Sequence, residues 1–307
     1  MRHGKAKAAF SLIELSIVIL IIGLLIQGVI KGRDLLNKME LTAARNITTN
    51  SPIHRTKDLL FWYETTSQDA FLEDDIVDDN LIENWNDNKL ATDTQYNLTQ
   101  SSTARQPSYV KNGINGLPSL DFLGIYNANS NNDCMKSAIG GQIILNESHT
   151  LFFVGKKNDL DNSHLLKFAI PSGGAAQSIA YVGSSNDFSF VYRHNSSSSG
   201  GEFIAGNVSN NTVDKPYILR SVRNHDQQTI EAWLNDSKIL DTSTTNLNDY
   251  NVSGFEFTVG SNSCTNTPTR SYDGTISEII GFNRSLKKGE IKAIEDYLSQ
   301  KYDIKVR

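Results

Sequence analysis

Apolar residues are concentrated near the N-terminal end of the chain. From Leu12 to Ile30 the sequence reads LIELSIVILIIGLLIQGVI, and Glu14 is its only ionisable side chain. At about 1.5 Å per helical residue, this run would be about 28 Å long, close to the hydrocarbon thickness of a bilayer. The pattern therefore predicts one membrane-spanning helix.

The helical pattern continues beyond the apolar run. Leu35, Met39, Ala43 and Ile47 recur at every fourth position, with charged residues on the other faces. This spacing predicts an amphipathic extension that packs on the following domain or on other subunits, or else lies on the surface. Pro52 favours a stop soon afterwards, because proline cannot continue a helix.

From about residue 57 the pattern changes to short β-type runs separated by clusters of Asn, Ser, Thr and Gly. In IEAWL, for example, Ile230, Ala232 and Leu234 fall on one face of a strand. Such runs are typical of an antiparallel sandwich. The strand candidates are Thr150–Val154, Asp187–Tyr192, Tyr217–Val222, Ile230–Leu234, Phe255–Val259 and Thr275–Phe282.

The last element is predicted to be a helix. Ile291, Ile294 and Leu298 have helical spacing, and Ser285 is the expected N-cap. The fold class is therefore α+β: a long N-terminal transmembrane helix, a mainly antiparallel β-sandwich and a C-terminal helix.

The distribution of charge along the chain indicates which partners and which membrane topology to expect. The chain of 307 residues has a formal net charge of -5 and shows no basic face, so nucleic acid is not an expected partner. The segment before the apolar run, MRHGKAKAA, carries Arg2, Lys5 and Lys7 but no acid. This bias predicts a cytoplasmic N-terminus and a domain outside the cytoplasm.

The junction between this leader and the apolar run has a recognisable form. The small residues Ala8 and Ala9 precede FSLIEL, and no convincing A-x-A site follows the run. Residues 8–45 resemble the N-terminal segment of type IV pilins and of type II secretion pseudopilins. The resemblance implies that a prepilin peptidase cleaves between Ala9 and Phe10 and that Phe10 becomes N-methylated. The family usually has glycine at the position of Ala9.

Glu14 has a specific role in that resemblance. A charge near the start of a membrane helix costs a few kcal/mol unless it lies near the headgroups or is paired. The resemblance implies that Glu14 neutralises the Phe10 amine of an adjacent pilin subunit during assembly. The alternative is a glutamate that simply rests at the lipid interface. Other pilin subunits and inner-membrane lipid are the expected partners of the helix.

The remainder of the chain carries a second resemblance. DLLFWYETTS, ENWND, RQPSYVKNGINGLPSLDF and the closing DGTISEIIGFNRSLKKGEIKAIEDYLSQKYDI resemble bacterial laminin-G-like domains of the concanavalin A-like lectin/glucanase superfamily, over residues 58–305. The resemblance implies a jelly-roll sandwich, a glycan or cell-surface ligand, and a core position for Trp85. Trp233 and Tyr192 are candidate exposed aromatics, although either could pack under a loop or helix.

The two resemblances define the expected domains: leader peptide 1–9, transmembrane and assembly helix 10–47, linker 48–57, and laminin-G-like β-sandwich 58–307. The two cysteines, Cys134 and Cys264, lie in polar loops outside the membrane helix. An extracytoplasmic location permits oxidation, so one disulfide is predicted, the alternative being two unpaired thiols.

Catalytic and metal signatures are missing from the sequence. There is no closely spaced E-x-D-x-x-E carboxylate group of the kind used by glycosidases, and the six histidines lack zinc-site spacing. The acidic run at 73–79, EDDIVDD, is expected to be a solvated loop. Calcium there is possible, but the run lacks the ligand pattern of a calcium loop. We therefore predict no catalytic residue, no metal site and no cofactor.

The expected protein is a structural pilin-like subunit, single-pass in the bacterial inner membrane. It would join a type IV pilus or related filament and present a lectin-like domain for adhesion or surface binding. One alternative is a pseudopilin that recognises the cargo of a type II secretion system. Another, from a different class, is a membrane-tethered glycan-active enzyme.

Overall fold

The computed structural model describes residues 12–90, 96–124, 132–137, 148–159, 163–169, 176–182, 187–193, 201–206, 213–243, 256–264 and 270–306. For 169, 176–182, 187–193, 201–206, 242, 243 and 256 it describes the backbone only. The chain divides into two compact units, Met1–Ala43 and Ala44–Arg307. Ala9 and Phe10 lie outside the described residues.

The N-terminal element is one long helix, α1 (Leu12–Thr49). Every side chain from Leu12 to Glu40 is exposed, as expected for an apolar surface that needs lipid or another protein to cover it. The helix is long and apolar enough to cross a bilayer, a criterion that a signal sequence also meets. Its last turns belong to the second unit, where Ala44 and Thr48 are buried.

The second unit is built on two antiparallel sheets. The first sheet has the order β14 (Ser237–Ser243), β13 (Thr229–Leu234), β12 (Pro216–Asn224), β7 (His149–Lys157), β16 (Gly274–Phe282), β5 (Leu117–Phe122) and β4 (Ser108–Ile114), and β1 (Leu59–Glu64) also pairs with β16. The second has the order β11 (Gly201–Gly206), β10 (Asp187–Arg193), β9 (Ala176–Val182), β8 (Ser163–Ala169), β15 (Glu256–Val259), β6 (Met135–Ser137), β3 (Leu98–Thr99) and β2 (Asn84–Trp85). The predicted antiparallel sandwich is confirmed.

Aromatic side chains from both sheets form the core between them. The Phe257 ring lies 4.9 Å from the Phe61 ring and 4.6 Å from the Phe168 ring, centroid to centroid. Trp85 is fully buried, as predicted, and its indole N–H donates to the Glu64 carbonyl at 3.2 Å. Burying such rings provides most of the driving force for closing the sandwich.

A second hydrophobic layer covers the outer face of the first sheet. Helix α2 (Lys288–Tyr302) buries Ile294 and Leu298 in the same cluster as Trp62 and Ile280. All nine residues of β16 are consequently buried, because one face of this strand meets the sandwich core and the other meets the helical layer. This explains why its sequence lacks the alternation of a half-exposed strand.

The predicted Ser285 cap is wrong. Helix α2 begins at Lys288, and the Glu290 carboxylate accepts a hydrogen bond from the Lys287 backbone N–H at 2.9 Å. The Arg284 guanidinium donates to both oxygens of Glu290, at 2.8 and 2.7 Å, and these hydrogen bonds lower the pKa of Glu290 to about 2. The start of the helix is therefore fixed by an acid inside its first turn.

Cys134 and Cys264 form a disulfide, with their Cα atoms 5.7 Å apart. Replacing both by serine should lower the free energy of unfolding by about 2–4 kcal/mol, because the bond closes a long loop and restricts the unfolded chain. Denaturant unfolding of wild type and variant, each with and without reductant, checks this. Only the wild type should respond to reductant; equal stability of the two proteins under oxidising conditions would contradict the prediction.

Candidate functional site at the end of the N-terminal helix

The predicted assembly residue, Glu14, lies in the first turn of the described part of α1, with an exposed side chain. The cleavage positions Ala9 and Phe10 are outside the described residues. The second unit holds a different feature that the sequence did not predict. It lies where the end of α1 packs on the first sheet.

Two glutamates face each other on the outer side of the first sheet. Glu64 on β1 is the direct cross-strand partner of Glu278 on β16, and both side chains are fully buried. Like charges directly opposite each other destabilise a sheet, and burying them adds a desolvation cost. Such a pair needs a compensating cation, a proton or both.

Lys301 of α2 supplies the cation. Its Nζ donates to Oε2 of Glu64 at 2.7 Å and to Oε2 of Glu278 at 2.9 Å, and its side chain is completely buried. Burial alone would lower the pKa of Lys301, but the two carboxylates outweigh it, so the pKa lies above its ordinary value. We call Glu64, Glu278 and Lys301 the buried charge cluster.

Neutral donors complete the surroundings of Glu278. Its Oε1 accepts from Trp62 Nε1 at 2.7 Å and from the Tyr297 hydroxyl at 2.8 Å, while Oε2 accepts from the Tyr302 hydroxyl at 2.9 Å. Burial nevertheless raises the pKa of Glu278 above the ordinary carboxyl value. In the described part of the chain, Oε1 of Glu64 has no hydrogen-bond partner.

The end of α1 joins this network. The Thr66 hydroxyl donates to Oε2 of Glu64 at 2.6 Å, and Arg45 Nε donates to the Thr66 carbonyl at 2.8 Å. The Thr48 hydroxyl lies 3.4 Å from the Tyr297 hydroxyl. The last turns of α1, the end of β1 and helix α2 are therefore fastened to one another through buried polar contacts.

The buried charge cluster does not have the properties of a glycosidase site. Glycosidases need two carboxylates that flank the scissile bond of a bound sugar. Glu64 and Glu278 are adjacent, but neither side chain has any exposed surface, so a saccharide cannot lie between them. Their contacts instead serve to hold helices on the sheet.

The candidate aromatic Trp233 is half-buried on β13. The Arg220 guanidinium lies 4.9 Å and Lys238 Nζ 5.7 Å from its ring centroid, both as cation–π contacts. The Trp233 ring therefore packs against two cations and is not a fully solvent-exposed aromatic. The Tyr192 side chain lies outside the described residues.

The acidic side chains of the described residues do not form a metal site. In the run at 73–79, Glu73–Asp75 forms a 3-10 turn in which Glu73 and Asp74 are exposed and Asp75 is half-buried. Across the described ranges, no group of three or more His, Cys, Asp or Glu side chains has an arrangement that could hold a metal ion.

A separate acidic site makes the fold sensitive to pH. Asp133 is buried, and its Oδ2 accepts from the Leu123 N–H at 2.7 Å. Burial, helped by the nearby carboxylates of Asp121 and Asp273, raises the pKa of Asp133 to about 7. A carboxyl whose pKa is raised by folding binds its proton more tightly in the folded state, so stability should fall between about pH 4 and pH 7.

Asp133→Asn should remove this contribution, because the amide oxygen can still accept from Leu123 without ionising. We expect the variant to be more stable than wild type at pH 8, by an amount on the order of 3 kcal/mol, and similar to it near pH 4. Thermal unfolding across this range measures the difference. Asp226→Asn, at an exposed carboxylate, is the control; parallel pH profiles for wild type and Asp133→Asn would refute the assignment.

The fold and site define a β-sandwich domain of two antiparallel sheets with a C-terminal helix, preceded by a single long apolar helix. Its architecture is similar to that of sandwich domains in solved structures. No family model matches the sequence, and no curated protein matches it.

Three solved structures illustrate the likeness. The CBM40 of the Ruminococcus gnavus IT-sialidase, bound to α2,3-sialyllactose, is 9% identical, and the match covers 58% of this chain and 97% of that chain at a TM-score of 0.42. A SAP-like pentraxin from Limulus polyphemus is 14% identical, with 57% and 79% covered at 0.41. The NanB sialidase from Streptococcus pneumoniae is 15% identical, with 52% and 27% covered at 0.42. This chain thus spans about a quarter of the length of NanB.

Proposed function

We propose that this chain is a structural subunit of the type IV pilin class. Its helix α1 anchors it in the bacterial inner membrane and then joins the core of a pilus or related filament. The observation that carries the proposal is the exposed apolar stretch Leu12–Ile30, interrupted by the single acid Glu14 near its start. A simple anchor has no need of a carboxylate at that depth.

Exposed apolar residues beyond the span support assembly as well as anchorage. Leu35, Leu36 and Met39 follow the basic residues Lys31 and Arg33, yet their side chains are 57–60% exposed. Neighbouring copies of the same helix would bury them, since helices with apolar residues at such spacing pack side by side. The domain that follows is then displayed on the filament surface.

In this proposal the sandwich is a binding domain rather than an enzyme, acting in adhesion or surface contact without a cofactor. The facing carboxylates of the buried charge cluster are sealed from solvent, which supports a structural role for them. A prepilin peptidase acts on the chain between Ala9 and Phe10. Pilin subunits and inner-membrane lipid are its other partners.

The test is to express the full chain with and without an active prepilin peptidase and to determine its N-terminus by mass spectrometry. We expect N-methylated Phe10 only when the peptidase is present. Ala9→Gly, which introduces the residue usual in the family, is the matched control and should be processed at least as efficiently. Retention of residues 1–9 in both proteins would contradict membership of this class.

A further inference from the structure

A polar pocket lies beside the last turns of α1, within the second unit. It has a volume of about 420 Å³, inside the range of small-molecule sites. Its walls come from the end of α1, from the loop after β1 and from His54 and Asn88, so no strand of either sheet contributes. We call it the Arg45 pocket; the residues used below are Arg45, Ser67, Gln68, Asp69 and Asn88.

Arg45 presents an oriented cation to this pocket. Its Nε donates to the Thr66 carbonyl at 2.8 Å, and this bond fixes the plane of the guanidinium. Among the residues that the structure describes, its two terminal nitrogens make no hydrogen bond or ion pair. A guanidinium with both terminal nitrogens available matches the two oxygens of a carboxylate.

Amide groups add further donors. Oδ1 of Asn88 accepts from the Ser67 hydroxyl at 3.1 Å, which leaves the Asn88 amide nitrogen as a donor without a partner in the described chain. The exposed Gln68 amide lies on the same wall. Fixed and available donors are the groups that confer specificity in a small-molecule site.

Asp69 adds an acceptor to the same walls. Its carboxylate forms no ion pair with Arg45 or with any other described residue. An isolated carboxylate accepts hydrogen bonds from hydroxyl groups. It also disfavours a dianion such as phosphate, because like charges repel. The lining thus fits a ligand with one carboxylate and several hydroxyls.

We propose that the Arg45 pocket binds a sugar acid of the uronic acid type. The ligand carboxylate pairs with the Arg45 guanidinium, and its ring hydroxyls bond to Asp69 and Asn88. This proposal rests on the proposed binding role of the domain and gives it a location and a ligand class. It does not depend on filament assembly.

Calorimetric titration of the full chain in detergent micelles tests the proposal, with D-glucuronate and D-glucose as probes. We expect saturable binding of glucuronate and at least tenfold weaker binding of glucose, which lacks the carboxylate. Arg45→Gln should weaken glucuronate binding about tenfold or more. Arg55→Gln, at an exposed arginine outside the pocket, should leave the affinity unchanged.

Asn88→Asp is the sharper variant, because it keeps the acceptor for Ser67 but replaces the amide donor with a negative oxygen. We expect it to lose glucuronate binding at an unchanged melting temperature. Asp69→Asn, which removes a negative charge, should bind glucuronate at least as tightly as wild type. Absence of saturable glucuronate binding, equal binding of glucose, or unchanged affinity in Asn88→Asp would each overturn the proposal.

The two proposals fail separately. A chain that yields N-methylated Phe10 but binds no glucuronate would refute the sugar-acid site and leave the pilin assignment standing. A chain that binds glucuronate but keeps residues 1–9 beside an active peptidase would refute the pilin assignment alone.

Discussion

Lys301→Met should lower the free energy of unfolding by about 3–5 kcal/mol, the usual cost of removing one partner from a buried ion pair. The methionine fills a similar volume but leaves Glu64 and Glu278 facing each other without a cation. Burial already raises the pKa of Glu278 in the wild type. Without the ammonium group, the Glu278 carboxylate should hold its proton to still higher pH.

The pH dependence separates this loss from a packing defect. A carboxyl whose pKa is raised by folding binds its proton more tightly in the folded state than in the unfolded state. The free energy of unfolding of the variant should therefore fall steadily as the pH rises above the ordinary pKa of a carboxyl group. The difference from wild type should therefore be larger at pH 8 than at pH 5. Chemical denaturation at both pH values measures it.

Two further variants control the experiment. Lys292→Met makes the same substitution on the exposed side of α2, where Lys292 pairs with Asp296 at the surface, and it should cost less than about 1 kcal/mol. Adding Glu64→Gln and Glu278→Gln to Lys301→Met should restore part of the lost stability. A loss in Lys301→Met that is small and independent of pH would show that the cluster does not hold α2 in place.

Glu14→Leu should abolish filament assembly while leaving insertion and processing intact. Leucine makes the span more apolar, which favours insertion, but removes the carboxylate that is proposed to neutralise the Phe10 amine of the adjacent subunit. Processed protein should therefore accumulate in the membrane. The measurement is the ratio of sheared filament to membrane-bound subunit on immunoblots, in a host that assembles the filament.

Gln27→Leu is the matched control, because it also replaces a polar residue of the span with leucine without removing a carboxylate. It should assemble as the wild type does. Glu14→Asp, which keeps the charge on a shorter side chain, should assemble partially. Wild-type filament yield from Glu14→Leu, with Phe10 correctly methylated, would show that Glu14 rests at the interface without a role in assembly.

Local patterns in the sequence predict much of this fold. The alternation of Ile230, Ala232 and Leu234 correctly placed one face of β13 in the core, and the apolar run after Phe10 predicted α1. Helix boundaries depend on contacts that such patterns do not contain. Residue type alone favours Ser285 as the cap, whereas the start of α2 depends on Glu290 and its contact with Arg284.

Local sequence patterns do not predict the buried charge cluster, because the cluster depends on which strands pair and in which register. Glu64 meets Glu278 only because the first strand of the sandwich pairs with the last. Each residue does leave a weak local signal: Glu278 interrupts the apolar strand TISEIIGF, and Lys301 follows Tyr297 by one helical turn on a buried face. Three charges on apolar faces of separate elements are a reason to look for mutual contacts. The sequence does not predict the Arg45 pocket for the same reason, because its walls come from four separate segments of the chain.

The fastening of α1 has a mechanical consequence. In the proposed membrane-anchored subunit, pulling on a ligand held by the sandwich would load the domain through residues 44–49 of α1 and their contacts. These contacts reach helix α2 and strand β1. Strand β1 is in turn hydrogen-bonded to β16, which lies in the middle of the first sheet. Force is thus shared among three elements and delivered to an interior strand, so the sandwich should resist extension better than a domain whose tether ends on an unprotected sheet edge.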